Sequence, residues 1–80
     1  MTEQIAAIIR QYLEDPESMI TEATLLKDDL GLDSFDIMNI VIECEEVFGV
    51  RISHEVLGNF ITVKDIERAL IRNSRGGSPA

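Results

Sequence analysis

Apolar positions recur with helical spacing from the start of the chain. Ile5, Ile8, Ile9, Tyr12 and Leu13 follow at i, i+3, i+4, i+7 and i+8, one face of a helix that Thr2 is placed to cap. Pro16 ends this helix or closely follows its end, because proline disfavours helical backbone in the residue before it. Residues 16 to 33 then form a long connection with isolated apolar anchors at Ile20, Leu25, Leu26, Leu30 and Leu32. A connection of this length is expected to pack down or to carry function. Periodicity returns from Asp33 or Ser34 to Phe48, where Gly49 supplies a stop. "VRIS" (50–53) reads as an extended link and "HEVLG" as a brief helix ending at Gly58. "TVKDIERALI" is a last helix, with Thr62 as N-cap, Asp65 completing a variant capping box, and Val63, Ile66, Ala69 and Leu70 facing inward. The predicted fold is all-α, a small four-helix bundle of three longer helices plus one short helix, with a long first loop. It occupies residues 1–73, and 74–80 form a tail with nothing to bury, expected to be disordered. Ile5, Ile9, Leu30, Ile37, Ile40, Val41, Cys44, Phe48, Ile52, Ile66 and Leu70 are expected to supply much of the inner surface.

The second helix carries more apolar residues than a core-facing stripe needs. At 100° per residue, Ile37, Ile40, Val41, Cys44, Val47 and Phe48 span about 120° of arc. Phe35, Met38 and Ile42 gather on the opposite side at i, i+3 and i+7, fringed by Asn39, Glu45 and Glu46. Both stripes would be buried in the central helix of a larger bundle, but three other short elements can hardly cover two faces. An exposed apolar patch rimmed with acids is the form of a docking surface.

Charge and composition narrow the partners. The 80 residues carry a net charge of −8, which argues against nucleic acid as a ligand. Residues 14 to 55 hold twelve acids against two bases, Lys27 and Arg51, whereas 64 to 80 hold four bases and two acids. That asymmetry serves solubility, and it also suits steering toward basic partners. No run approaches the roughly 20 apolar residues of a membrane span. The N-terminus is not a basic signal peptide, so a cytoplasmic protein is the simplest expectation. The single cysteine, Cys44, leaves no internal disulfide and is expected to be a buried hydrophobe.

The stretch "DDLGLDSFD" (28–36) sets one serine among four acids at the mouth of the second helix. Asp33, with Asp36 three residues on, suffices to cap that helix, which leaves the Ser34 hydroxyl for other work. Nucleophilic catalysis fails for want of a base: the only histidine, His54, lies in a short polar segment and is expected at the surface, and "LGLDSFD" does not match G-x-S-x-G. A calcium loop fails too, because counting from Asp28 puts Gly31 at position 4 and Asn39 where a bidentate glutamate is needed. Modification of Ser34 remains, since a helix N-terminus favours an anion.

"LGLDSFDIMNIVIECEEVFGVRIS" resembles the acyl carrier proteins, whose signature is Leu-Gly-x-Asp-Ser followed by an acidic amphipathic helix. The similarity spans about residues 2 to 72. It implies a discrete, monomeric, non-enzymatic carrier whose Ser34, next to Asp33, receives 4′-phosphopantetheine from coenzyme A through a phosphopantetheinyl transferase. The arm's thiol would carry acyl groups as thioesters in fatty-acid, polyketide or related biosynthesis. The resemblance also makes the helix after Ser34 the partner-recognition element, with Phe35, Asp36, Met38, Asn39, Ile42, Glu45 and Glu46 meeting basic patches on acyl-loading, condensing and tailoring enzymes. Phe35, where leucine is usual, Asn39, where an acid is frequent, and the base Arg51 imply a dedicated carrier of a specialised pathway. The peptidyl-carrier pattern Gly-Gly-His/Asp-Ser is absent, leaving an aminoacyl or peptidyl carrier as the alternative; a helical interaction module that carries nothing is the other.

Overall fold

Three apolar helix faces meet around one core in the computed structural model, which describes residues 1–15 and 17–77. The side chains of residues 54, 56 and 74–77 fall outside that description, as does Pro16. The elements are α1 (Thr2–Arg10), α2 (Ser34–Phe48), a 3₁₀ helix (His54–Asn59) and α3 (Val63–Gly77). Each α-helix packs on the other two, and the 3₁₀ helix closes against α2. Among the described residues the only β-type pairing is an isolated bridge between Leu25 and Thr62.

Ile5, Ile9, Leu26, Ile40, Val41, Cys44, Val63, Ile66 and Leu70 are almost wholly removed from solvent. Each full burial of an Ile or Leu side chain is worth about 1.5–3 kcal/mol, which is what holds a chain without disulfides together. Nine of the eleven residues expected inside are buried. Leu30 and Phe48 are half-buried and pack on the rim of the core. Phe60 and Leu32 complete the core from the loops.

Three expectations need correction. The first helix stops at Arg10, well before Pro16. Gln11, Tyr12 and Leu13 donate to the carbonyls of Ile8, Ile9 and Arg10 in i→i−3 turns, so the apolar spacing continues although the α-helix does not. Thr2 lies inside α1, whose N-cap is Met1, and its hydroxyl donates instead to Glu67 Oε2 at 2.8 Å, tying α1 to α3. Val47, at the edge of the inward arc, is 59% exposed because no element covers that side of the last turn of α2. The last helix, α3, spans Val63–Gly77, and residues 78–80 lie outside the described residues.

The long connection packs down. Leu26 N–H donates to Ile61 O (2.9 Å), while Val63 and Lys64 N–H donate to Thr24 O (3.1 Å) and Glu22 O (3.0 Å). These bonds splice the loop to the entrance of α3, and buried Leu26 and Leu32 pin it to the core. The loop therefore delivers Asp33 and Ser34 to a fixed place.

Candidate functional site

Asp33 closes a capping box at the start of α2. Its Oδ1 accepts from Asp36 N–H at 2.8 Å, and Asp36 Oδ2 accepts from Asp33 N–H at 3.3 Å. Two of the orphan N–H groups of the helix start are thereby satisfied without the serine. Ser34 is the first helical residue and is exposed, and no hydrogen bond engages its hydroxyl among the described residues. At the other end, Gly49 takes φ +67°, a left-handed C-cap that returns N–H groups to Glu45 O and lets the chain double back.

An open cleft of about 470 Å³ lies beside this helix mouth, with Tyr12, Asp29, Leu30, Gly31 and Asp36 in its walls. The Tyr12 hydroxyl donates to Glu43 Oε1 at 3.0 Å, joining the turns after α1 to α2. Desolvation, together with the bond to Glu43 and the charge of Asp36, raises the Tyr12 pKa above its ordinary value. Burial, reinforced by the charges of Glu43 and Glu45, pushes the Cys44 thiol up to about 12. Cys44 is thus an inert core side chain at neutral pH.

The second stripe of α2 lies open. Phe35 is 67% exposed, Ile42 is also exposed, and Met38 is half-buried between them. Half-buried Asn39 turns its amide back to donate to Phe35 O at 3.0 Å, and Glu46 is exposed. Glu45 has an internal task that the sequence pattern did not reveal: its Oε2 accepts from Ile52 N–H at 2.7 Å and fixes the link after α2. The structure also adds residues to this face. Beyond Gly49 the link folds back so that Val50, Arg51 and Ile52 line a groove with Ile42, Glu45 and Glu46. The glycine stop was readable, but the direction of the chain beyond it was not. The side chain of His54 lies outside the described residues.

Those residues fit a covalently attached anionic group. The hydroxyl is accessible and unengaged, and the Ser34 and Phe35 N–H groups have no partner among the described residues. A half-positive helix end set against two full aspartate charges would hold a free anion poorly, so a covalent link is the arrangement that suits it.

A family model described as the phosphopantetheine attachment site matches residues 3–70. The chain is similar to an acyl carrier protein of Onion yellows phytoplasma (strain OY-M), with 43% identity over 72 residues, 90% of this chain and 95% of that protein. It is 42% identical, with the same coverage, to an acyl carrier protein of Aster yellows witches'-broom phytoplasma (strain AYWB). With an acyl carrier protein of Thermotoga maritima the identity is 40% over 63 residues, 79% of this chain and 78% of that protein.

Proposed function

Because the chain belongs to the acyl carrier proteins, a family of phosphopantetheine-bearing carriers and not of enzymes, we propose that Ser34 is its attachment residue and that it presents acyl intermediates to biosynthetic enzymes in the cytoplasm. The observation that carries this reading is the division of labour at the mouth of α2. Asp33 and Asp36 cap the helix, and an exposed serine one residue in is left with a free hydroxyl. When bound, the 4′-phosphopantetheine arm supplies a terminal thiol that holds the acyl group as a thioester.

The protein's own residues do the rest. The capping box and the core anchors Leu32 and Ile37 hold Ser34 Oγ outward for the transferase. Asp33, Asp36 and Glu46 give the helix a negative rim that steers basic partners. Phe35, Met38 and Ile42 supply the apolar contact, and Asn39 keeps its amide on the backbone between them. Glu45 contributes charge while anchoring the link. The family's partners are the phosphopantetheinyl transferase and biosynthetic enzymes. We assign to this chain acyl-loading, condensing and tailoring enzymes of fatty-acid, polyketide or related synthesis, with residues 1–73 as the carrier unit.

Incubating the apo chain with coenzyme A and a broad phosphopantetheinyl transferase is expected to raise the intact mass by one arm. Ser34→Ala is expected to abolish that gain. An unchanged mass for the wild-type chain, or a gain that survives the substitution, would refute the assignment.

A further inference from the structure

The groove at the C-terminal end of α2 is lined by charges of both signs. Its volume is about 710 Å³, with Ile42, Val50 and Ile52 as an apolar lining and Glu45, Glu46 and Arg51 as its charged residues. Arg51 is the only base between Lys27 and Lys64, a stretch in which eight acids stand. In such surroundings an arginine would ordinarily be consumed by a neighbouring carboxylate. Here it is exposed and makes no ion pair among the described residues, although two glutamates line the same groove. The backbone explains this. Gly49 turns the chain back, and Glu45 Oε2 accepts the N–H of Ile52, the residue after Arg51, at 2.7 Å. The link is held from its buried side while the Arg51 side chain stays in solvent.

We infer that Arg51 makes the docking face of α2 bipolar, so that its partners carry bases opposite Asp36 and Glu46 and an acid opposite Arg51, around an apolar side chain seated near Ile42. This rests on the docking face proposed above. A partner with an uninterrupted basic patch meets repulsion at the end of the groove, whereas one whose patch ends in a carboxylate gains a pair. Rim charges of this kind set partner choice more than total affinity. Arg51 is thus a specificity residue, placed where an exposed charge costs the fold nothing.

Three synthetic amphipathic helical peptides test the inference directly on the apo chain. All have one leucine face flanked by lysines; in two of them the last lysine at one end or the other is replaced by glutamate. Fluorescence anisotropy at low salt is expected to show one glutamate-ended peptide binding wild type about three- to ten-fold more tightly than the all-lysine peptide, the size expected when one exposed repulsive pair becomes attractive. On Arg51→Glu the order reverses, and on Arg51→Gln the three peptides converge. Met38→Ala weakens all three alike, which locates them on α2. The same ranking on wild type and Arg51→Glu, or no binding to wild type, overturns the inference. The mass assay at Ser34 is independent of either result, so failure here and failure of the carrier assignment are told apart.

Discussion

Gly31 turns the chain between Leu30 and Leu32 with φ +70°, immediately ahead of the capping box that presents Ser34. A methyl group there would meet nothing within 4 Å, so the cost of Gly31→Ala is conformational and not steric. An L-residue in the left-handed region costs about 1–2 kcal/mol, which lowers the Tm of a domain this size by about 4–8 °C for each kcal/mol. Gly58 is equally open but lacks the positive φ. Gly58→Ala is therefore expected to be neutral or to stabilise by up to about 1 kcal/mol, by restricting the unfolded chain. Thermal denaturation followed by circular dichroism separates the two, and equal losses in both variants would contradict the conformational account. Cys44 shows the converse case, a reactive group made inert by position. Its thiol, pushed up to about 12 by burial, serves the core as a small hydrophobe.

Both long helices begin with an aspartate reaching back to backbone N–H groups. At α3, Asp65 Oδ2 accepts from Ile61 N–H (2.8 Å) and Thr62 N–H (2.9 Å), whereas the return bond from Asp65 N–H to Thr62 Oγ1 is long at 3.4 Å. Desolvation pushes the Asp65 pKa up, but the Thr62 and Ile61 N–H groups, with Arg68 nearby, outweigh it and hold the carboxyl below the ordinary value of an aspartate. A carboxyl depressed on folding stabilises the protein above its unfolded value, and that contribution is lost as pH falls through the folded one. Asp65→Asn is thus expected to cost about 1 kcal/mol at pH 7, with the gap to wild type closing below the folded pKa. Urea titrations at the two pH values check this, and a gap that persists in acid would count against it. The ends of α2 and the start of α3 were readable because such boxes and the Gly49 stop are chemical signals. The end of α1 was not, since i→i−3 turns keep Tyr12 and Leu13 on the same face as a helix would. Val47 misled because periodicity gives an angle but not what covers it. Phe60 and Ile61 are adjacent apolar residues in a short non-helical stretch, where no period tells the buried ring from its exposed neighbour. For the site, the serine and the open stripe could be read from spacing, whereas the groove at Arg51 exists only once the chain folds back.

Taken as one body, the protein concentrates its charge. A net −8 sits on a chain with a radius of gyration of 12.0 Å, and the acids crowd residues 14 to 55. Part of that charge is employed locally: Asp29 accepts from Leu25 N–H, Glu43 from Tyr12, Glu45 from Ile52 N–H and Glu67 from Thr2. The remainder repels across the fold while attracting basic partners. The two effects respond oppositely to salt. The Debye length is about 30 Å at 0.01 M and about 10 Å at 0.1 M, so repulsion acts across the entire molecule in dilute buffer and is cut to near neighbours at ordinary ionic strength. Short bonds between carboxylates and backbone N–H groups lie well inside either length and survive. Raising NaCl from 10 to 150 mM (about that range) is accordingly expected to raise Tm by a few degrees, equivalent to roughly 1 kcal/mol. Association with a basic partner should slow over the same range, because steering depends on the unscreened field. Thermal melts and stopped-flow association with the transferase measure the two separately. A Tm that falls with salt would mean that attractive pairs, and not the crowding of acids on α2 and its loops, govern the electrostatics of this carrier.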